Sequence, residues 1–408
     1  MITNWKEEPK AGVTFPEGFS AAGVRAGIKS LGNDMALLVC ESKATVAGTF
    51  TTNQVKAACV RYSQRVVKSG TARAVIVNAG NANACNGEQG DLDNRSMAEQ
   101  VGELLHISPD QVLTASTGII GHLMPMAKIE AGVGFAVEQL DRGVETDLSA
   151  TEAIMTTDIY PKYRAVTVDS ESWVAPIRFG GMCKGSGMIA PNMATMLAFL
   201  TTDAHLPSEL LQEALRRAVA VSYNSVTVDG DTSTNDMCIL LASGMGGAAI
   251  SVAGAAFEDF VTALSRFCIS LAKEIARDGE GATKLVQVVV KGAETPEAAH
   301  KIAKTVAESP LVKTALYGND PNWGRLLMAA GRAGVPFDAD LIDAFIGEFQ
   351  VCNEGRSVDF DRDGAHAYLK GSKEVEVSLH LHLGEATATV WTCDYSYDYI
   401  KINAEYHT

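Results

Sequence analysis

The chain has 408 residues, 47% of them hydrophobic and 20% charged, a composition typical of a folded globular protein with room for more than one domain. Its formal net charge of −15 argues against nucleic acid and anionic membrane surfaces as partners, because both attract basic surfaces. The first ten residues carry neither an apolar signal core nor an Arg-rich import pattern, and no apolar run is long enough to span a bilayer. The eight cysteines are scattered without a Cys-x-x-Cys pair, so we expect a cytoplasmic protein with reduced thiols.

Strand-like and helix-like patterns alternate through the first part of the chain. Strands are predicted over 36–40, 44–50 and 74–78. A turn-rich loop over 78–87 and a helix over 91–105 are predicted to follow them.

The remaining patterns complete a mixed picture. They predict helices over 206–221, with Ser208 as its cap, over 255–276 and over 295–309, and strands over 285–290, 375–383 and 386–392. The short spacer between the last two strands predicts an antiparallel hairpin. We therefore expect an α/β protein of the α+β type, with largely antiparallel sheets and a domain boundary near 284.

One segment carries the most chemical information, Lys184-Gly-Ser-Gly-Met-Ile-Ala-Pro-Asn-Met-Ala-Thr-Met196. A flexible, glycine-containing approach leads to Ala194-Thr195 and then to an apolar run. The pattern suits a chain that cuts itself, since the Thr195 hydroxyl could attack the preceding carbonyl and leave a nucleophile with its own amine as base. The alternative is a glycine-rich loop before a buried strand or helix.

The same segment resembles the cleavage-site signature of the ornithine acetyltransferase family of arginine biosynthesis, also called glutamate N-acetyltransferases. The resemblance implies helix-covered sheets in a sandwich and cleavage between Ala194 and Thr195. The products would be fragments 1–194 and 195–408, the second comprising 195–284 and a C-terminal domain over 285–408. The freed α-amine of Thr195 would have an ordinary pKa of about 7.7–8.0, which suits a base at neutral pH.

A second family motif is Ser116-Thr-Gly-Ile-Ile-Gly121. By resemblance, the Thr117 side chain and the Gly118 backbone N–H form an oxyanion hole, and fixed donors of that kind stabilise the charge of an acyl-transfer transition state. The alternative is a polar turn in which Gly118 and Gly121 supply unusual backbone angles.

The resemblance also implies a set of substrate-binding residues besides Thr195: Thr156, Lys184, Glu280, Asn403 and the terminal Thr408. Thr157 remains an alternative to Thr156. Lys184 would hold an α-carboxylate, and Glu280 would recognise the side-chain amine of ornithine. The alternatives are solvated loop charges at Lys184 and Glu280 and a loose tail at the C-terminus.

Two further patterns have weaker chemical meaning. His380 and His382 lie two residues apart, a spacing that can bind zinc, but no cysteine or carboxylate cluster is placed in sequence to complete a site, and a solvated strand face is the expectation. The segment 318–325 reads as a turn-rich loop without an assigned role. No phosphate-binding glycine motif is present, so no nucleotide cofactor is indicated.

The resemblance predicts an acetyltransferase that moves acetyl from N2-acetylornithine to glutamate through an acetyl-Thr195 ester. Some family members also take acetyl from acetyl-CoA, and the sequence leaves that use open. No metal or prosthetic group is implied, and the two fragments are expected to assemble as a heterotetramer. The alternatives are a self-cleaving amidase or aminopeptidase with water as acceptor, and a non-catalytic binding protein with the same fold.

Overall fold

The computed structural model describes residues 1–188 and 196–405. These residues form two compact units, each with its own sheet. The first unit contains residues 1–185, 196–224 and 231–272, and the second contains 186–188, 225–230 and 273–405. The main segment of the second unit therefore begins at Lys273, where the sequence pattern suggested a boundary near 284.

The first unit is built on a nine-stranded sheet with the order β1-β6-β7-β8-β9-β3-β4-β5, in which β2 also pairs with β3. The strands are β1 (Ile2–Glu7), β2 (Phe19–Val24), β3 (Met35–Phe50), β4 (Thr71–Asn81), β5 (Val112–Ile119), β6 (Lys162–Ser170), β7 (Ile177–Lys184), β8 (Leu197–Thr202) and β9 (Met237–Ala242). Neighbouring strands are antiparallel except in the pairs β4–β5 and β8–β9.

Two features of this sheet differ from the sequence expectation or refine it. The strands predicted over 36–40 and 44–50 are one long strand, β3, whose register against β4 shifts between Val39 and Ala44 at three exposed residues. The apolar run that follows Thr195 is β8, which lies between β7 and β9 inside the sheet and whose six residues are all buried.

Helices cover the sheet of the first unit: α1 (Ala58–Val67), α2 (Gly87–Leu105), α3 (Met126–Glu138), α4 (Val144–Ile154), α5 (Ser208–Ala220) and α6 (Ala255–Arg277), whose last residues belong to the second unit. The core joins strand side chains such as Leu37 and Ile76 to helix side chains such as Met97 and Ile129. The prediction that Ser208 caps α5 is wrong, since Pro207 occupies the cap position and Ser208 is already helical.

The second unit has a six-stranded sheet with the order β13-β12-β11-β14-β10-β15. Its strands are β10 (Leu285–Ala293), β11 (Asp343–Ile346), β12 (Phe349–Asn353), β13 (Arg356–Ser357), β14 (Glu374–His380) and β15 (Ala386–Cys393). Its helices are α7 (Pro296–Ala307), α8 (Pro310–Tyr317), α9 (Trp323–Gly331), α10 (Arg362–Gly371) and α11 (Tyr397–Glu405). Thr295 caps α7 by accepting a 3.1 Å hydrogen bond from the Ala298 N–H.

The predicted hairpin of the last two strands is wrong. β14 and β15 both pair with β10, on its opposite sides, so β10 separates them. The apolar strand β10 gains hydrogen-bonded partners on both edges in this arrangement. The connection over 381–385 crosses the end of β10, where the N–H groups of Leu383 and Gly384 donate to the Gly292 carbonyl.

The architecture confirms the predicted fold class, a mixed α/β protein with largely antiparallel sheets. Within the described residues, no helix is both long enough and apolar enough to cross a membrane.

Candidate active site

The predicted site residues are distributed over both units. Thr117, Gly118, Thr156 and Lys184 belong to the first unit, and Glu280 and Asn403 belong to the second. Ala194, Thr195 and Thr408 lie outside the described residues.

A close approach of two backbones shapes the end of β5. Gly118 has a φ of +127°, and a Cβ at this position would lie 2.4 Å from the carbonyl carbon of Gly80 on β4. Only glycine fits here, because any side chain would force the two parallel strands apart. The predicted unusual backbone angles are confirmed at Gly118 and at Gly121, whose φ is +84°.

Buried amide side chains hold the residues next to Thr117 in place. The Ser116 hydroxyl donates a 2.7 Å hydrogen bond to the Asn78 side-chain oxygen. The Asn235 amide donates to the carbonyls of Ser116 at 2.8 Å and of Ala82 at 2.6 Å. Since these groups are buried and paired, the end of β5 that carries Thr117 and Gly118 is fixed before any substrate binds.

Thr117 and Lys184 meet in this unit although they are far apart in sequence. The Lys184 ammonium donates a 3.1 Å hydrogen bond to the Thr117 hydroxyl oxygen, and the two residues are only 7% and 9% exposed. An ammonium can only donate, so the hydroxyl accepts here and keeps its own proton to donate elsewhere. Lys184 is therefore a buried cation beside a potential donor, and the alternative of a solvated loop charge does not describe it.

Lys184 also stands in register with the strand that follows Thr195 in sequence. β7 ends at Lys184, whose antiparallel partner is Leu197, the first residue of β8. Residues 185–196, which contain the proposed cleavage position, thus connect two adjacent strands of the sheet.

A buried ion pair lies beside this group. The Lys162 ammonium nitrogen lies 2.6 Å from a carboxylate oxygen of Asp158, and both side chains are 0% exposed. The Gly185 N–H donates to the same carboxylate oxygen at 2.8 Å. Burial alone would raise the pKa of Asp158, but the ammonium groups of Lys162 and Lys184 outweigh it and lower that pKa.

Lys29 adds a further cation to this group. Its ammonium donates a 2.9 Å hydrogen bond to the Met155 carbonyl. Burial lowers the pKa of Lys29, while Asp34 and Asp158 act in the opposite direction and Lys184 lowers it further. Three lysines, Lys29, Lys162 and Lys184, therefore act electrostatically around the Asp158 carboxylate.

Thr156 has one contact that bears on its predicted role. Its N–H donates a 3.1 Å hydrogen bond to Asp158, which fixes the backbone of this loop. Thr156 and Thr157 are both half-buried, so the choice between them as substrate contact stays a prediction.

In the second unit, Glu280 and Asn403 are brought together. The Asn403 amide donates a 2.8 Å hydrogen bond to the Glu280 carboxylate, which is 8% exposed. The Glu280 N–H donates to the Ser186 carbonyl at 2.9 Å, and a Cβ on Gly187 would lie 2.4 Å from the Glu280 carboxyl carbon. A buried carboxylate with one amide partner retains acceptor capacity for a cationic group.

The described part of the C-terminal segment is attached to the loop that carries Glu280. Asp394 accepts hydrogen bonds from the N–H groups of Thr283 at 2.8 Å and Lys284 at 3.0 Å, and the Ser396 hydroxyl donates to the Gly281 carbonyl. Helix α11 then carries Asn403. A loose tail therefore does not describe residues 394–405.

The two weaker patterns also have clear positions. Asn322 in the segment 318–325 accepts a hydrogen bond from the Arg325 N–H and caps α9. The expectation that no carboxylate accompanies the two histidines is wrong, since Asp343 on β11 lies 2.8 Å from His382. Asp343 is opposite His380 in the β11–β14 ladder, 37 positions earlier in sequence, and spacing alone could not reveal it.

The sequence analysis did not identify five residues that surround Thr117 and Lys184: Lys29, Asn78, Asp158, Lys162 and Asn235. One local signal existed, because Asp158 and Lys162 are four residues apart and of opposite charge. Asn78 and Asn235 gave no comparable signal, since asparagine is most often a solvated residue of a turn.

Comparison with known proteins identifies the family. A model of the ArgJ family matches residues 20–408. The arginine biosynthesis bifunctional protein ArgJ 1 of Nostoc sp. is 47% identical over the full length of both chains, and the ArgJ protein of Symbiobacterium thermophilum is 48% identical over 97% of this chain and 98% of its own.

A solved structure agrees with these relatives. The crystal structure of the arginine biosynthesis bifunctional protein ArgJ from Bacillus halodurans is 43% identical and matches with a TM-score of 0.50. It covers 51% of this chain and 98% of that chain. The family and the pathway class predicted from the motifs at Lys184 and Thr117 are confirmed: this chain belongs to the ArgJ family and is an enzyme of arginine biosynthesis.

Proposed function

We propose that the chain moves an acetyl group from N2-acetylornithine to glutamate through an acetyl ester on Thr195. The observation that carries this proposal is the buried Lys184–Thr117 contact beside Gly118, because Lys184 is the residue of β7 from which the segment 185–196 leads to β8. It supplies a donor whose proton is available and a cation that can bind a carboxylate.

In the first half of the proposed reaction, the Thr195 hydroxyl attacks the acetyl carbonyl while its α-amine takes the hydroxyl proton. The carbonyl oxygen becomes negative, and the Thr117 hydroxyl and the Gly118 N–H donate to it. The amide bond then breaks, and the proton held by the α-amine passes to the leaving nitrogen of ornithine. In the second half, the α-amine of glutamate attacks the ester and gives a proton to the Thr195 α-amine. The ester C–O bond then breaks, that proton passes to the Thr195 oxygen, and release of acetylglutamate restores Thr195.

The charges of the described residues fit amino-acid substrates. We assign the substrate carboxylate to the Lys184 ammonium, and the side-chain amine of ornithine to the Glu280 carboxylate that Asn403 contacts. Thr156 and Thr408 are the remaining proposed substrate contacts.

Self-cleavage between Ala194 and Thr195 is part of the same proposal. The α-nitrogen of Thr195 is an amide in the intact chain, and cleavage converts it into a base. The length of the solved Bacillus halodurans polypeptide supports this, because that chain matches almost completely yet spans about half of this one.

Further elements of the proposal concern the second acetyl donor and the assembly. Relatives carry the name bifunctional, which supports acetylation of glutamate from acetyl-CoA as a second activity. We propose a heterotetramer of the two fragments, 1–194 and 195–408. The proposed location is the cytoplasm, in keeping with eight cysteines that form no disulfide.

Denaturing mass spectrometry and an acetyl-transfer assay test the proposal together. Purified protein should contain two polypeptides with a junction at Ala194–Thr195, Thr195→Ala should remain one 43.2 kDa chain without activity, and Thr195→Ser should still be cut. Acetylornithine should yield acetylglutamate only when glutamate is present. Free acetate at the same rate without glutamate would instead identify an amidase, and transfer by Thr195→Ala would refute the nucleophile.

A further inference from the structure

We propose that Asp343, His380 and His382 form a binding site for one divalent transition-metal ion, with Zn²⁺ as the favoured ion. The site lies in the second unit, on the adjacent strands β11 and β14 inside its sheet. It is independent of the acetyl-transfer residues and of the proposed function.

The three side chains already converge. Each offers one ligand atom, and these atoms all lie within 4.8 Å of one another. The imidazole rings of His380 and His382 are 5.3 Å apart and nearly perpendicular, at 79°. An ion about 2.0–2.2 Å from each nitrogen and oxygen requires the ligand atoms to lie no more than about 4.4 Å apart, so small rotations of the side chains would complete the site. In the part of the chain that the structure describes, no other group of three His, Cys, Asp or Glu residues meets this criterion.

The backbone explains why the side chains share one face. Asp343 and His380 are direct partners in the antiparallel β11–β14 ladder, so their side chains point the same way. His382 lies beyond the end of β14 with a φ of +55°, and this left-handed conformation accompanies the crossing from β14 to β15. The non-hairpin connection of the two strands thus brings the second imidazole to the carboxylate.

Asp343 is also held in position for a ligand. One of its carboxylate oxygens accepts a 2.9 Å hydrogen bond from the Glu354 N–H, and the other faces His382 at 2.8 Å. A carboxylate fixed through one oxygen presents the second in a constant direction, as outer partners of metal ligands commonly do. His382 is 48% exposed, so an ion has access from solvent and keeps positions for water.

The ligand set defines the chemical class of the ion. Two imidazoles and one carboxylate suit zinc and related transition metals and are poor ligands for Ca²⁺ or Mg²⁺, which favour oxygen. Lys291 opposes binding, because it is the partner of His380 on β10 and its charge acts on that imidazole. Removal of this charge should therefore tighten binding.

Isothermal titration of the untagged full-length protein with Zn²⁺ tests the site, in a Cys85→Ser background because Cys85 is an exposed thiol. We expect one ion per chain. His382→Asn, which tolerates the left-handed backbone, and Asp343→Asn should each weaken binding at least about tenfold. Lys291→Gln should strengthen it.

The matched control is His366→Asn, which removes another exposed imidazole of the same unit. It should bind Zn²⁺ as the parent does. Thermal unfolding provides a second readout, since an ion that binds only the folded state raises the Tm of the parent and of His366→Asn but not of the double variant His380→Asn, His382→Asn. Absence of saturable binding to the parent, or equal affinity in that folded double variant, would overturn the proposal.

Discussion

The ammonium of Lys184 and the hydroxyl of Thr117 are hydrogen-bonded at 3.1 Å, although 67 positions separate them in the sequence. The contact joins the end of β7 to the end of β5, two strands that are not neighbours in the sheet. It makes the threonine an acceptor toward lysine and leaves its proton for a different partner.

Thr117→Ala should fold and lose most of its turnover. Removal of one oxyanion donor typically lowers kcat by about 10²–10³, because the fixed hydrogen bond forms chiefly in the transition state. Thr117→Ser keeps the hydroxyl and should retain activity within about tenfold. Steady-state kinetics with acetylornithine and glutamate measure both, and unchanged turnover in Thr117→Ala would remove Thr117 from the oxyanion hole.

Lys184→Met should weaken substrate binding, since it keeps much of the side-chain volume but removes the cation proposed to hold the α-carboxylate. We expect KM for both amino-acid substrates to rise by at least about tenfold, because the variant loses one charge-assisted hydrogen bond, which is worth roughly 1.5–3 kcal/mol. Lys128→Met, at an exposed lysine of the same unit, is the control and should behave as wild type. A KM that does not change in Lys184→Met would contradict the carboxylate contact.

Asp158→Asn should strongly destabilise the protein. The change leaves the Lys162 ammonium buried without its carboxylate, and the loss of one partner of a buried pair costs about 3–5 kcal/mol. The double variant Asp158→Asn, Lys162→Met removes both charges and should recover part of the loss. Urea unfolding measures all three proteins, and a double variant no more stable than Asp158→Asn would argue against the buried-charge explanation.

The same carboxylate predicts a dependence of stability on acid. The folded-state pKa of Asp158 is lowered below its ordinary value of 3.8, so its contribution to stability is complete above that value and is lost as the pH falls through the folded-state pKa. The difference in unfolding free energy between wild type and Asp158→Asn should be constant from pH 7 to about pH 5 and shrink below about pH 4. A difference in unfolding free energy that grows as the pH falls would contradict a lowered folded-state pKa for Asp158.

Glu280→Gln should discriminate between the two substrates. The amide keeps the volume and can still accept the hydrogen bond from Asn403, but it removes the charge proposed to recognise the side-chain amine of ornithine. KM for acetylornithine should therefore rise more than KM for glutamate, measured in separate half-reactions. Equal effects on both would indicate a structural role for Glu280.

The sequence by itself determined the family, the chemistry expected at Thr195 and Thr117, and most of the elements. These features are local: the segment after Lys184 carries its motif in consecutive residues, and the burial of β8 follows from an apolar run. Gly118 is a partial exception, because the Gly80 backbone that excludes a side chain there belongs to another strand.

Only the tertiary structure decided which distant residues meet. Strand patterns along the chain do not reveal the order of the strands in a sheet. The position of β10 between β14 and β15 is therefore known only from the structure. The contacts of Asp343 with His382, of Lys184 with Thr117 and of Asn235 with Ser116 all join residues that are distant in sequence. The physical reason is that the periodicity of apolar residues is a property of residues close together in sequence. Hydrogen bonds and ion pairs instead form between side chains that the folded sheets place side by side.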